Sequence, residues 1–258
     1  MNKQNMANQI VEARKTGVQT QMALPDPAPN LDDAMEIQAL VFEGFGSPSV
    51  GWKVGAANEA AQNAFGLDGP FYGPMAQAGV LQDGADLKKT PCVGAVEPEY
   101  AFAMARDYPA PGEAINADTA ASAVERAHVA IEVIGRCIGN ADYANGIGVT
   151  MDFGGNAAFV VGPAIEDWAT KDLVASPVEG LVDGEVVQTG SGAAVMGDPI
   201  TSLVWMAQTL ADNGESLKAG EWVSTGTCTP PIPAEAGKTV SARFGPDGAF
   251  GSVSVNFT

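Results

Sequence analysis

The chain has 258 residues, 46% of them apolar, with 31 Gly and 17 Pro, so a sizeable core and many turns are both expected. Thirteen Lys and Arg against 31 Asp and Glu leave a net charge of −18, which excludes a phosphate-neutralising surface for nucleic acid. Cys92, Cys137 and Cys228 are far apart and form neither a disulfide framework nor a zinc site, and no long apolar run suggests a leader or a membrane span, so a cytoplasmic protein is expected.

In chain order, Met6, Ile10 and Val11 recur at helical spacing, and a Pro-rich break follows at LPDPAPN, residues 24–30. That break divides a helical arm, 1–29, from a main body, 30–258. Asn30 is the expected N-cap of a second helix, with Asp32 and Asp33 in its first turn, Gly44 and Gly46 past its end, and Met35, Leu40 and Val41 facing a core. From Gly51 onward the texture is β. GWKVG, FYGPM, GAVEPEYAFAMA, AAFVVG, GEVVQTG, WVSTGT, TVSARFG and SVSVNF are short runs punctuated by Gly and Pro. The last two flank Pro246-Asp247-Gly248 and predict a closing hairpin. Helices are expected at 116–131 and at 200–214, the latter with Leu203, Ala207 and Leu210 as its apolar stripe. Strands and long helices do not alternate, so the fold class read from the pattern is α+β, a mostly β body with helices at its margins.

The stretch AVEPEYAF, 95–102, places Glu97 and Glu99 two apart in an apolar strand, hence on one face together with Ala101 and Ala103. Neighbouring carboxylates repel each other and resist desolvation, which a wet face, a protonated acid or a cation between them would each resolve. Glu132 lies inside a further apolar run, AIEVIGRCIG. Three carboxylates make the all-oxygen set that suits Mg²⁺ or Mn²⁺. The rival is a set of separate buried salt bridges with Arg106 and Arg136 as partners. Lys53, in GWKVG, would bind a carboxylate or exchange protons, or else snorkel from a strand edge. His128, the only histidine, is read as structural. Asp152 precedes a Gly pair and is either a turn acid or a functional one. Ser191 in GSG, and Thr225 and Thr227 in STGT, offer hydroxyls for an anionic ligand.

In this order, GWKVG, GLDGPFYGPM, VEPEYAFAMARDYP, AIEVIGRCIG, NAAFVVG and GSGAAVMGDPITSLVWMAQTLADNGESLKAGEWVSTGT resemble the 2-keto-4-pentenoate hydratase family. That family lies in the fumarylacetoacetate hydrolase superfamily, beside the 4-oxalocrotonate decarboxylases, and the resemblance runs from about residue 30 to the end. It implies a distorted β-sandwich-like roll with an N-terminal helical part, assembled into homo-oligomers. Complexes with a pathway decarboxylase are in keeping with the family. It also implies metal ligation of Mg²⁺ or Mn²⁺ by Glu97, Glu99 and Glu132, with Lys53 as the active-site lysine. The substrate implied is a small 2-oxo or 2-hydroxy-dienoate acid from aromatic catabolism, chelated through its carboxylate and 2-oxygen. The activity implied is that of a hydratase, a carbon–oxygen lyase working through a stabilised enolate. Decarboxylation, carbon–carbon hydrolysis of an acylpyruvate, or a non-catalytic partner subunit are the alternatives. One departure stands out. Where the family carries an acid in the segment equivalent to GPFYGPM, this chain has Phe71 followed by Tyr72, and a later Asp-Asn pair reads Asp152-Phe153. Phe71 and Tyr72 are then expected to shape the substrate pocket, and Asp152 to carry a proton.

Overall fold

In the computed structural model, which describes residues 1–258, end signals set the two opening helices. Helix α1 (Lys3–Thr16) starts where the Asn2 side chain accepts from the Asn5 N–H, and stops at Gly17 in the left-handed region. Helix α2 (Leu31–Phe45) starts with a reciprocal capping pair between Asn30 and Asp33 and ends at Gly46. Its buried stripe is Ala34, Ile37, Gln38 and Val41, so Met35 and Leu40, expected inside, are half-buried flanks. Met6, Ile10 and Val11 of α1 pack with Ile37 and Val41 of α2 and with Tyr143, Met151 and Phe153 from later in the chain. Residues before the Pro-rich break therefore share one core with the body.

The body alternates β1 (Ser49–Gly55), α3 (Glu59–Phe65), β2 (Phe71–Ala76), β3 (Val80–Gln82), β4 (Ala85–Leu87), β5 (Ala95–Met104), α4 (Ala117–Ser122), β6 (Val124–Ile134), α5 (Gly146–Met151) and β7 (Asn156–Ala164). It continues with β8 (Pro177–Val182), β9 (Glu185–Ser191), α6 (Pro199–Asp212), β10 (Trp222–Thr227), β11 (Ile232–Pro233), β12 (Thr239–Phe244) and β13 (Gly251–Phe257). One sheet runs in the order β2-β1-β10-β5-β6-β7-β3, with β11 added at the start of β5. The other runs β4-β13-β12-β8-β9. The expected hairpin is the antiparallel β12–β13 pair. This is the expected α+β architecture, a β-sandwich-like roll with helices around it.

The largest core lies between the sheets. Tyr100, Phe102, Val129, Ile131 and Val133 of the first sheet meet Val240, Phe244, Val253 and Val255 of the second, and α6 closes one end with Leu203, Met206, Ala207 and Leu210. Tyr100 and Phe244 meet edge to face at 5.2 Å. Because side chains alternate along β5, filling this core with Tyr100 and Phe102 sends Glu97 and Glu99 to the opposite face.

The helix expected over 116–131 is a correction. Only 117–122 is helical, and 124–134 is strand β6, paired on both sides by β5 and β7. A central strand buried on both faces shows a near-continuous apolar run rather than a clean alternation, and such a run does not separate strand from helix. No helix is long and apolar enough to cross a membrane.

Candidate metal centre and cavity

The antiparallel β5–β6 register sets Glu97 directly opposite Glu132 and Glu99 opposite Ala130. Carboxylate oxygens of the three glutamates come within 4.8 Å of one another, so they converge although 33 residues of chain separate Glu99 from Glu132. Across the other edge of β5, the β10 register slips by one residue between Ser224 and Thr227. That bulge turns two donors onto one acceptor: Ser224 Oγ donates to Glu99 Oε2 at 2.5 Å, and the Gly226 N–H donates to the same oxygen at 3.0 Å. Asn156 Nδ2 donates to Glu132 Oε1 at 2.9 Å. Lys53, level with Ser224 in the parallel β1–β10 pair, brings its Nζ to 3.4 Å from the same Oε1.

Glu99 and Glu132 are fully buried and Lys53 is 2% exposed. Glu99 Oε1 and Glu132 Oε2 have no protein partner. Burial, then the Glu132 charge, push the Glu97 carboxyl up to about 7 despite the opposing pull of Lys53. Burial, then Glu132 and Glu97, also raise Glu99 well above the usual range, against the hydrogen bonds from Ser224 and Gly226. At 4.8 Å and an effective dielectric near 20, two such charges repel by roughly 3 kcal/mol. Three carboxylates less one ammonium leave two negative charges, and two of the oxygens are orphaned in a dry site. A hard divalent cation fits that set: it neutralises both charges and gives the orphan oxygens the partner they lack.

The cluster opens on a cavity of about 320 Å³ whose walls include Lys53, Glu97, Phe65, Phe71, Val149 and Arg136. Two glycines bring the wall close to Lys53. A Cβ on Gly73 would lie 2.1 Å from the Phe153 carbonyl oxygen, and one on Gly154, whose φ is +60°, would lie 3.0 Å from the Lys53 side chain. Phe71 stacks near the ammonium, its ring centroid 4.9 Å from Lys53 Nζ.

The other expected site residues divide. Phe71 and Thr227 line the cavity, while Tyr72, Ser191 and Thr225 do not. Tyr72, next along β2 from Phe71, points to the opposite side and meets Trp52 and Trp205 edge-on. Thr225 is buried with its hydroxyl donating to the Tyr100 carbonyl at 2.8 Å. Ser191 sits at the end of β9, its N–H bonded to the Cys228 carbonyl. Asp152 is 1% exposed and away from the cavity walls. Arg14 Nε donates to its Oδ1 at 2.6 Å and the Cys137 N–H to its Oδ2 at 2.6 Å. The rival salt-bridge partners are also placed. Arg106 pairs with Glu113 rather than with the cluster, and Arg136 has no ion pair. Sequence reasoning missed Asn156, Ser224 and Arg14. Ser224 was open to reading, because it precedes the named Thr225 in the same strand, but only the register reveals that it holds Glu99.

A family profile described as fumarylacetoacetate (FAA) hydrolase C-terminal matches residues 75–256. The chain belongs to the fumarylacetoacetate hydrolase family. Within it, this fumarylacetoacetate hydrolase family protein is 31% identical to a 2-keto-4-pentenoate hydratase of Burkholderia vietnamiensis, over 98% of this chain and 97% of that protein. It is 28% identical to a 4-oxalocrotonate decarboxylase of Pseudomonas putida, over 82% of this chain and 78% of that one. Its fold superposes on the 4-oxalocrotonate decarboxylase from Pseudomonas putida G7, solved with magnesium and adipate, at a TM-score of 0.89, covering 99% of this chain and 97% of that one at 26% identity.

Proposed function

We propose that this protein is a divalent-metal-dependent hydratase or related lyase acting on a small 2-oxo or 2-hydroxy-dienoate acid in the breakdown of aromatic compounds. Mg²⁺ or Mn²⁺ would be held by Glu97, Glu99 and Glu132. The observation that carries the reading is the pair of orphaned, buried carboxylate oxygens on Glu99 and Glu132, clustered with Glu97 and Lys53, which line the cavity. The similarity to hydratases and decarboxylases, one of them solved with magnesium, supports it.

A cation held there supplies Lewis acidity toward the carboxylate and 2-oxygen of a 2-oxo acid. The chain's own residues do the rest. Asn156 and Ser224 lock the orientation of Glu132 and Glu99, so the ligand oxygens are fixed before substrate arrives. The Lys53 ammonium faces the charge that develops on the substrate's 2-oxygen and exchanges a proton with the substrate. Phe65, Phe71 and Val149 keep water from the apolar wall of the cavity. Asp152 has no part in this scheme, because Arg14 and the Cys137 N–H occupy both of its oxygens.

That engagement of Asp152 favours decarboxylation as the second reading. Loss of CO₂ needs charge stabilisation and one protonation, whereas hydration also needs an oriented water. The homo-oligomer, the complex with a pathway decarboxylase and the cytoplasmic location belong to the same proposal. Light scattering of the purified protein, alone and mixed with such a decarboxylase, reads the first two.

The test is titration calorimetry with Mg²⁺ and Mn²⁺, followed by a panel of 2-hydroxy-dienoates, acylpyruvates and oxalocrotonate-like diacids with product identification. Metal binding that is lost in Glu97→Ala and Glu132→Ala, with turnover of one substrate class, is the expected result. Water uptake identifies hydration and CO₂ release identifies decarboxylation. Absence of metal binding, or binding unchanged in both variants, would sink the proposal.

A further inference from the structure

We propose that Cys92 and Cys137 are a modification site, a thiol pair that hydrogen peroxide converts to an intrachain disulfide at the end of the β5–β6 ladder. The two cysteines are 45 positions apart in sequence, and both are free thiols. The antiparallel register pairs Glu97 with Glu132, Val96 with Val133 and Ala95 with Ile134. The Gly94 N–H carries the ladder on by donating to Ile134 O at 2.8 Å. Three residues past the last pair, the same register sets Cys92 opposite Cys137. The two backbones stay close there, because a Cβ on Gly135 would collide with the Cys92 carbonyl oxygen. The side chains are 6% and 5% exposed and share one small buried cluster with Ala13.

Opposite residues of an antiparallel pair have Cα atoms roughly 4.5–5.5 Å apart, within the roughly 4.4–6.8 Å that a disulfide spans. The pair is also polarised. Hydrogen bonding with Cys137 holds the Cys92 thiol below its ordinary value, and the same contact, with burial, pushes the Cys137 thiol up. Cys92 is therefore the attacking thiol and Cys137 the resolving one. The Cys92 sulfur attacks one peroxide oxygen, the O–O bond breaks, and the released hydroxide leaves as water with the Cys92 proton, so Cys92 becomes a sulfenic acid. The Cys137 sulfur then attacks the Cys92 sulfur. The S–O bond breaks, hydroxide leaves as a second water with the Cys137 proton, and the S–S bond forms. Two thiols lose two electrons and two protons, and one peroxide becomes two waters. The last turn of α1 reaches Cys92, whose Sγ donates to Ala13 O at 3.6 Å, and opening of that terminal turn admits an oxidant of this size. Cys228 is a built-in control. It is fully buried in the core between the sheets, where burial raises its thiol, and it stays reduced.

The chemistry needs no metal, so the test is run in chelator. The full chain is treated with hydrogen peroxide, its remaining thiols are alkylated under denaturing conditions, and the digest is read by mass spectrometry. The expected product is a peptide pair joined through Cys92 and Cys137, two hydrogens lighter than its parts and separated by dithiothreitol, with Cys228 alkylated. The bond closes a loop of about 45 residues, so the oxidised protein should melt about 5 to 15 °C above the reduced one. Cys137→Ala should lose that rise and leave Cys92 as a sulfenic acid that dimedone labels, whereas Cys137 in Cys92→Ala should not label. Sulfinic acid on either cysteine in place of the cross-link overturns the proposal. So does a disulfide between two chains, or alkylation of both Cys92 and Cys137 at a peroxide dose that oxidises methionines. A cross-linked protein that melts no higher than the reduced one overturns it too, because the bond would then have distorted the ladder it is meant to close. These outcomes are read on the wild type and stand whether or not the variants fold.

Discussion

Replacing Glu97 by Gln should stabilise the metal-free protein and at the same time abolish its response to Mg²⁺. In the folded chain the Glu97 carboxyl is pushed up to about 7 by burial and by Glu132, from an ordinary value of 4.5. The folded state therefore holds this proton more tightly than the unfolded state does. For an acid raised in this way, stability is greatest below the unfolded value, falls as pH rises from about 4.5 to about 7, and is flat above that window. A rise from 4.5 to about 7 is worth on the order of 3 kcal/mol at pH 8. Gln keeps the shape and cannot ionise, so that penalty disappears. For a chain of this length the gain corresponds to a Tm higher by roughly 5 to 10 °C. With Mg²⁺ the gap closes when the ion is at a hundred times its Kd, where the wild type gains about 2.7 kcal/mol, and the order reverses at a thousand times, where it gains about 4.1, while the variant has lost a ligand. The assay is scanning calorimetry of both proteins near pH 5 and pH 8, with a chelator or with Mg²⁺. Near pH 5 in chelator the two should differ little. A variant less stable than wild type in chelator at pH 8, or one with an undiminished Mg²⁺ shift, refutes the account of the cluster.

Lys53→Met should reduce turnover by about 10² to 10⁴ while Mg²⁺ affinity is kept or improved, since the ammonium competes with the ion for Glu132; substrate kinetics beside metal titration read both arms. Arg14→Ala removes one partner of an ion pair whose side chains are 8% and 1% exposed, and should cost about 3–5 kcal/mol in urea unfolding together with a loss of Mg²⁺ affinity. Leu203→Ala, in the core that α6 helps to fill and that does not include the glutamates, should cost about 2–5 kcal/mol and leave Mg²⁺ affinity unchanged in the folded protein.

What could be read from the residues beforehand followed local periodicity. The alternation through EPEYAF places Glu97 and Glu99 together and Tyr100 and Phe102 opposite, and the structure has that arrangement. Asn30 and Gly46 mark the ends of α2 by the chemistry of unpaired backbone groups. The rest depended on pairing between distant segments. Glu132 meets Glu97 only through a register that local sequence does not encode, and the same strand reads as a helix because both of its faces are covered. Tyr72 and Phe71 are neighbours in sequence, but a strand sends neighbours to opposite sides, so only Phe71 reaches the cavity. Asp152 looked available because nothing near it in sequence marks Arg14 as its partner, 138 residues away.

Arg14 gives the amino-terminal helix a stake in chemistry it never touches. Its guanidinium also donates to the backbone carbonyls of Asp152, at 2.6 Å, and Asn156, at 2.9 Å, while stacking 3.8 Å from the centre of the Phe153 ring. Those are the residues that lead into Gly154 beside Lys53 and into the amide that steers Glu132. Shortening this protein from its front end, or burdening that end with a fusion, would thus register as weakened cation capture rather than as the loss of a dispensable appendage.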